Sequence, residues 1–176
     1  MKLLIGIVVV VALGIGGFFL LNDYIYNEKQ ATVAQDFKEA EFVIEGERRK
    51  IGDSVNYFGN ELFTDLDGDG DEDVAFIVTY EPGGSGTFYY AVAAIKTENG
   101  YIGSDGYLLG DRIAPQSTTL SPNSRHENVV VFNYADRAIG EPMTAEPSIG
   151  KSAYLKIGAQ SMQWGIVIPD FEGESR

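Results

Sequence analysis

The run Val74-Ala75-Phe76-Ile77-Val78 decides the fold class of this chain. Five consecutive apolar side chains, most of them β-branched or aromatic, are typical of a strand buried on both faces, because successive side chains of a strand point to opposite sides of the sheet. Phe88–Ile95 is a second run of this kind. The two runs predict a β domain that contains fully buried strands.

Shorter predicted strands surround these two runs. Phe42–Glu45 and Arg48–Ile51 flank Gly46-Glu47, which predicts a tight hairpin with basic residues on an exposed edge. Asn99-Gly100 predicts a second hairpin turn, because both residues tolerate positive φ. Further short strands are predicted at Tyr107–Leu109, Val129–Phe132, Tyr154–Ile157 and Trp164–Ile168.

No amphipathic helical stretch interrupts these strands. Residues 41–170 are therefore predicted to form a mainly β domain, a single antiparallel β-sandwich or a partly closed barrel, and the sequence does not distinguish the two. The chain has 176 residues, 44% of them hydrophobic, and no cysteine, which fits one globular domain without disulfides. The net charge of -13 leaves no cationic surface for phosphates and argues against nucleic acid as a partner.

The N-terminal sequence predicts a membrane anchor. Leu3–Leu21 is uncharged and long enough, at about 28 Å of helix, to cross a bilayer, so residues 1–22 are predicted to be a transmembrane helix. Lys2 before the run and Tyr24 and Tyr26 after it predict a cytoplasmic N-terminus and an exported domain, periplasmic or extracellular. A cleaved signal peptide and a buried core helix are the alternatives.

Two further segments complete the predicted organisation. Residues 23–40 are rich in Glu, Lys, Gln and Ala and lack Gly and Pro, which predicts a helical stalk or linker. Residues 171–176 are predicted to be a C-terminal tail. The 41–170 domain between them contains the most distinctive chemistry of the chain.

That chemistry lies in the segment Asp65–Asp73, which holds six of the 26 acidic residues and no basic one. It fits the pattern D-x-D-x-D-G-x-x-D, in which alternate carboxylates of a tight loop can face one centre and Gly70 allows the chain to reverse. Calcium takes six to eight hard oxygen ligands, whereas magnesium favours few protein ligands and several waters. We therefore predict a Ca²⁺ site with ligands from Asp65, Asp67, Asp69, Asp71 through its backbone carbonyl, and Asp73. The alternative is an acidic turn that merely bounds a strand.

The loop is not an EF-hand, because the twelfth place is Phe76 rather than a bidentate glutamate. It resembles instead the calcium loop of the FG-GAP repeats of integrin-like propellers, in which Phe-Gly precedes the acidic loop and a buried strand follows. Here Phe58-Gly59, Asp65–Asp73 and Val74–Val78 stand in that order. The resemblance covers some 20 residues without a second copy, so it implies calcium binding but not a propeller.

A second resemblance extends from about Phe42 to Ile157. The segments that carry it resemble those of an uncharacterised family of small membrane-anchored bacterial envelope proteins; they are Gly84–Tyr90, Leu108–Pro115, Asn133–Arg137 and Gly140–Met143. This resemblance implies a location in the cell envelope and brings no known activity.

Catalytic motifs are not evident. The only histidine, His126, lies in a polar turn, where a solvated side chain is expected rather than a general base. Gly83–Thr87 fits neither a nucleophile elbow nor a phosphate-binding loop. The pairs Asp111-Arg112 and Asp136-Arg137 are expected to brace loops, with recognition of a partner's carboxylates or sugars as the alternative. Ala138–Gly150 is the expected contact loop.

Together these features predict a membrane-anchored, exported, calcium-binding β module of the cell envelope, with a binding or structural role rather than an enzymatic one. Its expected partners are the membrane and another envelope protein or a glycan. Two alternatives stay open: a surface hydrolase that acts on envelope glycans, and an inhibitor or accessory subunit of another envelope protein.

Overall fold

The computed structural model describes residues 32–169, which form one short 3₁₀ helix, Phe37–Glu39, and eleven strands. The predicted anchor, the first part of the predicted stalk and the C-terminal tail lie outside these residues. Between residues 32 and 169 there is no helix that could serve as a membrane span. The strands are β1 (Phe42–Ile44), β2 (Glu47–Arg49), β3 (Val55–Thr64), β4 (Asp73–Tyr80), β5 (Phe88–Thr97), β6 (Gly100–Gly103), β7 (Tyr107–Asp111), β8 (Ala114–Leu120), β9 (Val129–Asp136), β10 (Ile149–Ile157) and β11 (Trp164–Ile166).

The strands form three antiparallel sheets, none of which closes into a barrel. A five-stranded sheet has the order β3-β4-β5-β6, and β7 pairs with the first half of β5 while β6 pairs with its second half. A four-stranded sheet has the order β11-β10-β9-β8, and β1 and β2 form a separate hairpin. The prediction of a mainly β, antiparallel domain is confirmed.

Two hydrophobic clusters lie on opposite faces of the five-stranded sheet. On one face, Ile77 and Ala93 pack with Phe132 and Leu155 of the four-stranded sheet. On the other face, Phe76 packs with residues of the β1–β2 hairpin and of the segment that precedes it. Because both faces are covered, every residue of β4 is buried. This burial explains the continuous apolar run and confirms the strand predicted at Val74–Val78.

The chain before β1 differs from the predicted helical stalk. Of residues 23–40 only 32–40 are described, and these contain a single 3₁₀ turn rather than a continuous helix. Ala34 exchanges two backbone hydrogen bonds with Tyr101, of 2.9 and 2.7 Å, and the Phe37 ring lies 5.3 Å from that of Phe76. Strand pairing and aromatic burial here outweigh a modest helix propensity, which is worth only tenths of a kcal/mol per residue.

Both predicted hairpin turns are shifted by one residue. The first turn is Glu45-Gly46, where both residues have positive φ, 53° and 75°, as a two-residue hairpin of this type requires. The second turn is Glu98-Asn99, and Gly100 begins β6. At Gly100 a Cβ atom would lie 2.2 Å from the carbonyl oxygen of Ala34, so glycine is needed for the close approach of the two backbones rather than for the turn itself.

Candidate metal centre

The acidic loop connects β3 to β4, and Asp73 is both its last predicted ligand and the first residue of β4. Leu66, the second residue of the loop, is fully buried in the cluster between the two large sheets. Gly68 and Gly70 have φ values of 90° and 94°, which side chains rarely allow. The loop is thus anchored by one apolar side chain and reverses at two glycines.

Aspartate side chains fix the path of the loop by accepting hydrogen bonds from its backbone. Asp65 accepts from the N–H groups of Gly68 and Gly70, at 2.6 and 3.0 Å. Asp67 accepts from the N–H of Asp69 at 3.2 Å, and Asp69 in turn accepts from that of Asp71 at 2.8 Å. Such Asx-type bonds replace the ladder bonds that a strand would supply.

Asp73 connects the loop to the sheet. Its carboxylate is fully buried, and one oxygen accepts from the N–H of Leu66 at 2.8 Å while the other accepts from the N–H of Lys96 in β5 at 2.7 Å. These two N–H donors stabilise the charged form of the carboxylate, but burial outweighs them and raises the pKa of Asp73. Asp73 therefore links the loop to β5 through hydrogen bonds, and its carboxylate adds a negative charge to those of the loop.

Three of the predicted ligands converge. One carboxylate oxygen from each of Asp65, Asp67 and Asp73 lies within 4.8 Å of the others. Two oxygens bound to one calcium ion at about 2.3 to 2.6 Å can lie up to about 5 Å apart, so the three carboxylates are close enough to share one ion. The carboxylate of Asp69 is exposed and lies outside this group, and Asp71, whose predicted ligand is its backbone carbonyl, contributes no side chain to it. The structure therefore brings together three of the four side chains predicted as ligands.

The charges of the loop act on one another. Burial raises the pKa of Asp67, and the neighbouring carboxylates of Asp69 and Asp65 raise it further. Burial likewise raises the pKa of Asp73, with an added contribution from the charge of Asp67. None of the ion pairs formed among residues 32–169 includes a carboxylate of this group. A bound cation is the species that would relieve both the burial of charge and the repulsion.

The Asp111-Arg112 and Asp136-Arg137 segments lie at the other end of the strands, and only the first forms an ion pair between its own two residues. Arg112 donates two hydrogen bonds to Asp111, at 3.1 and 3.0 Å. Arg137 does not pair through its side chain with Asp136; its guanidinium donates to the carbonyl oxygens of Ala145 at 2.6 Å and Arg112 at 2.8 Å. These contacts fasten the loop after β9 to the turn between β7 and β8.

His126 lies in the β8–β9 loop. Asn128, at the end of the same loop, is near the acidic loop, since a Cβ at Gly68 would lie 3.8 Å from its side-chain nitrogen. The sequence predicted a solvated histidine, but the side chain is half-buried. Its Nδ1 lies 2.9 Å from the hydroxyl of Ser121, and its ring stacks edge-on against Tyr154 at 6.2 Å. These partners hold the loop against the four-stranded sheet.

Sequence reasoning missed two features that matter for the site. One is Leu66, whose burial holds the loop in place; a lone leucine among acids was the available signal. The other is the nearness of Asn128 to Gly68, which no local pattern predicts because the two residues are 60 positions apart. The chain matches no family model, no curated protein and no solved structure, and its function therefore has to be inferred from the chemistry of its own residues.

Proposed function

We propose that this protein is a calcium-stabilised β module held at the exported side of a membrane, with a binding or structural role in the cell envelope. The observation that carries the proposal is the convergence of the Asp65, Asp67 and Asp73 carboxylates on a space that fits one cation. The resemblance of the loop to FG-GAP calcium loops supports the same ion, and the apolar run Leu3–Leu21 supports the anchor.

Calcium suits this group better than magnesium. Three carboxylates already supply half or nearly half of the six to eight oxygens that calcium takes, and backbone carbonyls or water complete flexible shells of this kind. Magnesium requires a near-ideal octahedron and retains several waters, so it gains less from three protein carboxylates. Outside the cytoplasm, calcium modules commonly bind at about 0.1 to 1 mM, so a site with few protein ligands is sufficient there.

The ion's role is structural in this proposal. Asp73 already joins the loop to the backbone of β5 through Lys96, so an ion held by Asp73, Asp65 and Asp67 fastens the β3–β4 connection to the C-terminal end of β5. At ten times its Kd an ion adds about 1.4 kcal/mol to the free energy of unfolding. In a domain of this size that gain raises the melting temperature by about 5 °C.

The test is thermal unfolding of the full-length chain, stripped of metal, with and without millimolar calcium. We expect calcium to raise the melting temperature by about 5 °C, and equimolar magnesium to raise it by much less. Asp67→Asn should abolish the calcium effect with little change in the metal-free melting temperature, because asparagine can still accept the hydrogen bond from Asp69.

Asp53→Asn is the matched control. Asp53 is exposed in the turn between β2 and β3, so this variant loses the same charge far from the loop sequence and should keep the full calcium response. A wild-type protein that melts at the same temperature with and without calcium would contradict the proposal. An undiminished calcium response in Asp67→Asn would remove Asp67 from the ligand set.

A further inference from the structure

The sheet face that carries the β1–β2 hairpin is not covered along its whole length. The hairpin ends at Glu45-Gly46, and beyond this turn a cleft of about 460 Å³ opens over the sheet. Three aromatic rings, two smaller apolar side chains and one carboxylate line it; these are Tyr80, Phe88, Tyr90, Leu108, Pro82 and Glu45.

Strand register places these side chains together. Tyr80 pairs with Phe88 across β4 and β5, and Tyr90 pairs with Leu108 across β5 and β7, so the four side chains project from the same face. The rings of Tyr80 and Tyr90 lie edge to face at 6.5 Å. Leu108 is 47% exposed, although it belongs to an ordered strand. Strands therefore supply four of the six lining side chains, and Glu45 and Pro82 come from connections between strands.

Glu45 closes one end of the cleft. Its backbone is held at φ 53° in the hairpin turn, and its carboxylate accepts a hydrogen bond from the Tyr90 hydroxyl. Glu45 takes part in none of the ion pairs formed between residues 32 and 169. The neutral hydroxyl donor orients this carboxylate without supplying a cation to it.

We propose that this cleft binds a basic side chain, lysine or arginine, presented by a polypeptide partner. Aromatic ring faces attract cations, and a carboxylate at the end of an apolar slot pairs with the charged head while Leu108 and Pro82 contact the aliphatic stem. The net charge of -13 attracts a cationic partner over longer distances. Next to the cleft the chain itself uses this chemistry, since the Arg49 guanidinium lies 4.7 Å from the centre of the Tyr80 ring.

The experiment titrates the isotope-labelled full-length chain with two peptides and follows chemical shifts. One peptide is acetyl-Gly-Lys-Gly-amide, and the other replaces lysine with norleucine, which keeps an aliphatic stem and removes the charge. We expect saturable binding of the lysine peptide at residues of the cleft, with the norleucine peptide at least fivefold weaker. Glu45→Gln should weaken the lysine peptide about three- to fivefold and leave the norleucine peptide unchanged.

Two further variants keep the result interpretable. Glu98→Gln removes the same charge from the exposed β5–β6 turn and should leave lysine-peptide binding unchanged. Leu108→Ser removes the wall for the stem and should weaken both peptides, with the melting temperature confirming that the chain remains folded. Equal affinity for both peptides, an equal loss in Glu45→Gln and Glu98→Gln, or no saturable shift at the cleft would each overturn the proposal.

Discussion

The two ends of the five-stranded sheet use aspartate for different purposes. Near the start of β4, Asp73 accepts backbone N–H groups from Leu66 and Lys96. At the opposite end, Asp111 accepts the backbone N–H of Thr87, so aspartate organises loop backbone at both ends. The difference is the cation: Arg112 pairs with Asp111 at 3.0 Å, whereas no side-chain cation of the described residues pairs with Asp73.

The pKa directions follow this difference. The hydrogen bond from Arg112 lowers the pKa of Asp111, and the hydrogen bond from Lys151 lowers that of Asp136. Burial raises the pKa of Asp67 and Asp73, and neighbouring carboxylates add to the effect. A brace thus contains its own cation, while the acidic loop holds several carboxylates and none of the ion pairs among residues 32–169 includes Asp65, Asp67 or Asp73. Asp111 and Asp136 have a cationic side chain of the same domain as a partner and act as structural ion pairs, whereas these three loop carboxylates lack such a partner in the described part of the chain and form the candidate metal site.

The largest expected effect measures how much Asp73 contributes to the free energy of unfolding through its hydrogen bonds. Asp73→Ala leaves two N–H groups without their acceptor at a fully buried position, and we expect it to lower the free energy of unfolding by about 3 kcal/mol. Calcium should not restore the loss, because a ligand is missing as well. Urea denaturation measures both quantities. Asp71→Ala, at an exposed position of the same loop, serves as the control and should change stability by less than about 0.5 kcal/mol. Equal losses in the two variants would contradict this role of Asp73.

An intermediate effect concerns pH. Because the folded-state pKa values of Asp67 and Asp73 are raised, the contribution of these two groups to the stability of the metal-free protein is lost as pH rises from the unfolded value, near 4, through the folded values. Calcium binds the deprotonated carboxylates, so its stabilising effect should be near zero at about pH 4 and reach its full size near neutral pH. Melting temperatures with and without calcium across this range test the sign. A calcium effect of the same size at pH 4 and pH 7 would contradict it.

The smallest effect belongs to a brace. Lys151 donates to Asp136 at 2.7 Å from a partly exposed position, and exposed pairs of this kind couple by about 0.5 kcal/mol. A double-mutant cycle with Asp136→Asn and Lys151→Met should measure that coupling, and high salt should reduce it. A coupling above about 2 kcal/mol, or one insensitive to salt, would place Asp136 among groups with a role beyond bracing.

The sequence predicted those parts of the fold whose signal is local. Val74–Val78 is apolar throughout because both sides of β4 are covered, and that pattern is visible without knowledge of its neighbours. β8 was missed because its sequence, Ala114–Leu120, is polar and it becomes a strand only by pairing with β9. The strand β3 was missed as well, since bulges around Gly59 disturb its alternation. Non-local pairing has no counterpart in a short window of sequence.

The candidate site also has a part that local sequence predicts and a part that it does not. Spacing alone predicted that Asp65, Asp67 and Asp73 face one centre, since alternate positions of a tight loop share a side. Asp69 fits the same spacing but lies outside the group, and its carboxylate accepts the backbone N–H of Asp71, a contact that spacing does not predict. The aromatic cleft could not be predicted at all, because its walls meet only through the register of three strands and one turn.

Each sheet of this domain consists of strands that are consecutive in the chain, and this arrangement sets an order of events during synthesis. Hairpin contacts between consecutive strands form early because their chain closures are short. A nascent chain that has emerged only as far as Asp111 contains all of the five-stranded sheet, yet Ile77 and Ala93 face water because β9 and β10 have not been made. At this length the nascent chain exposes the apolar face of the five-stranded sheet, which favours aggregation. The four-stranded sheet covers that face once it has been synthesised, and in this sense it acts as an intramolecular chaperone.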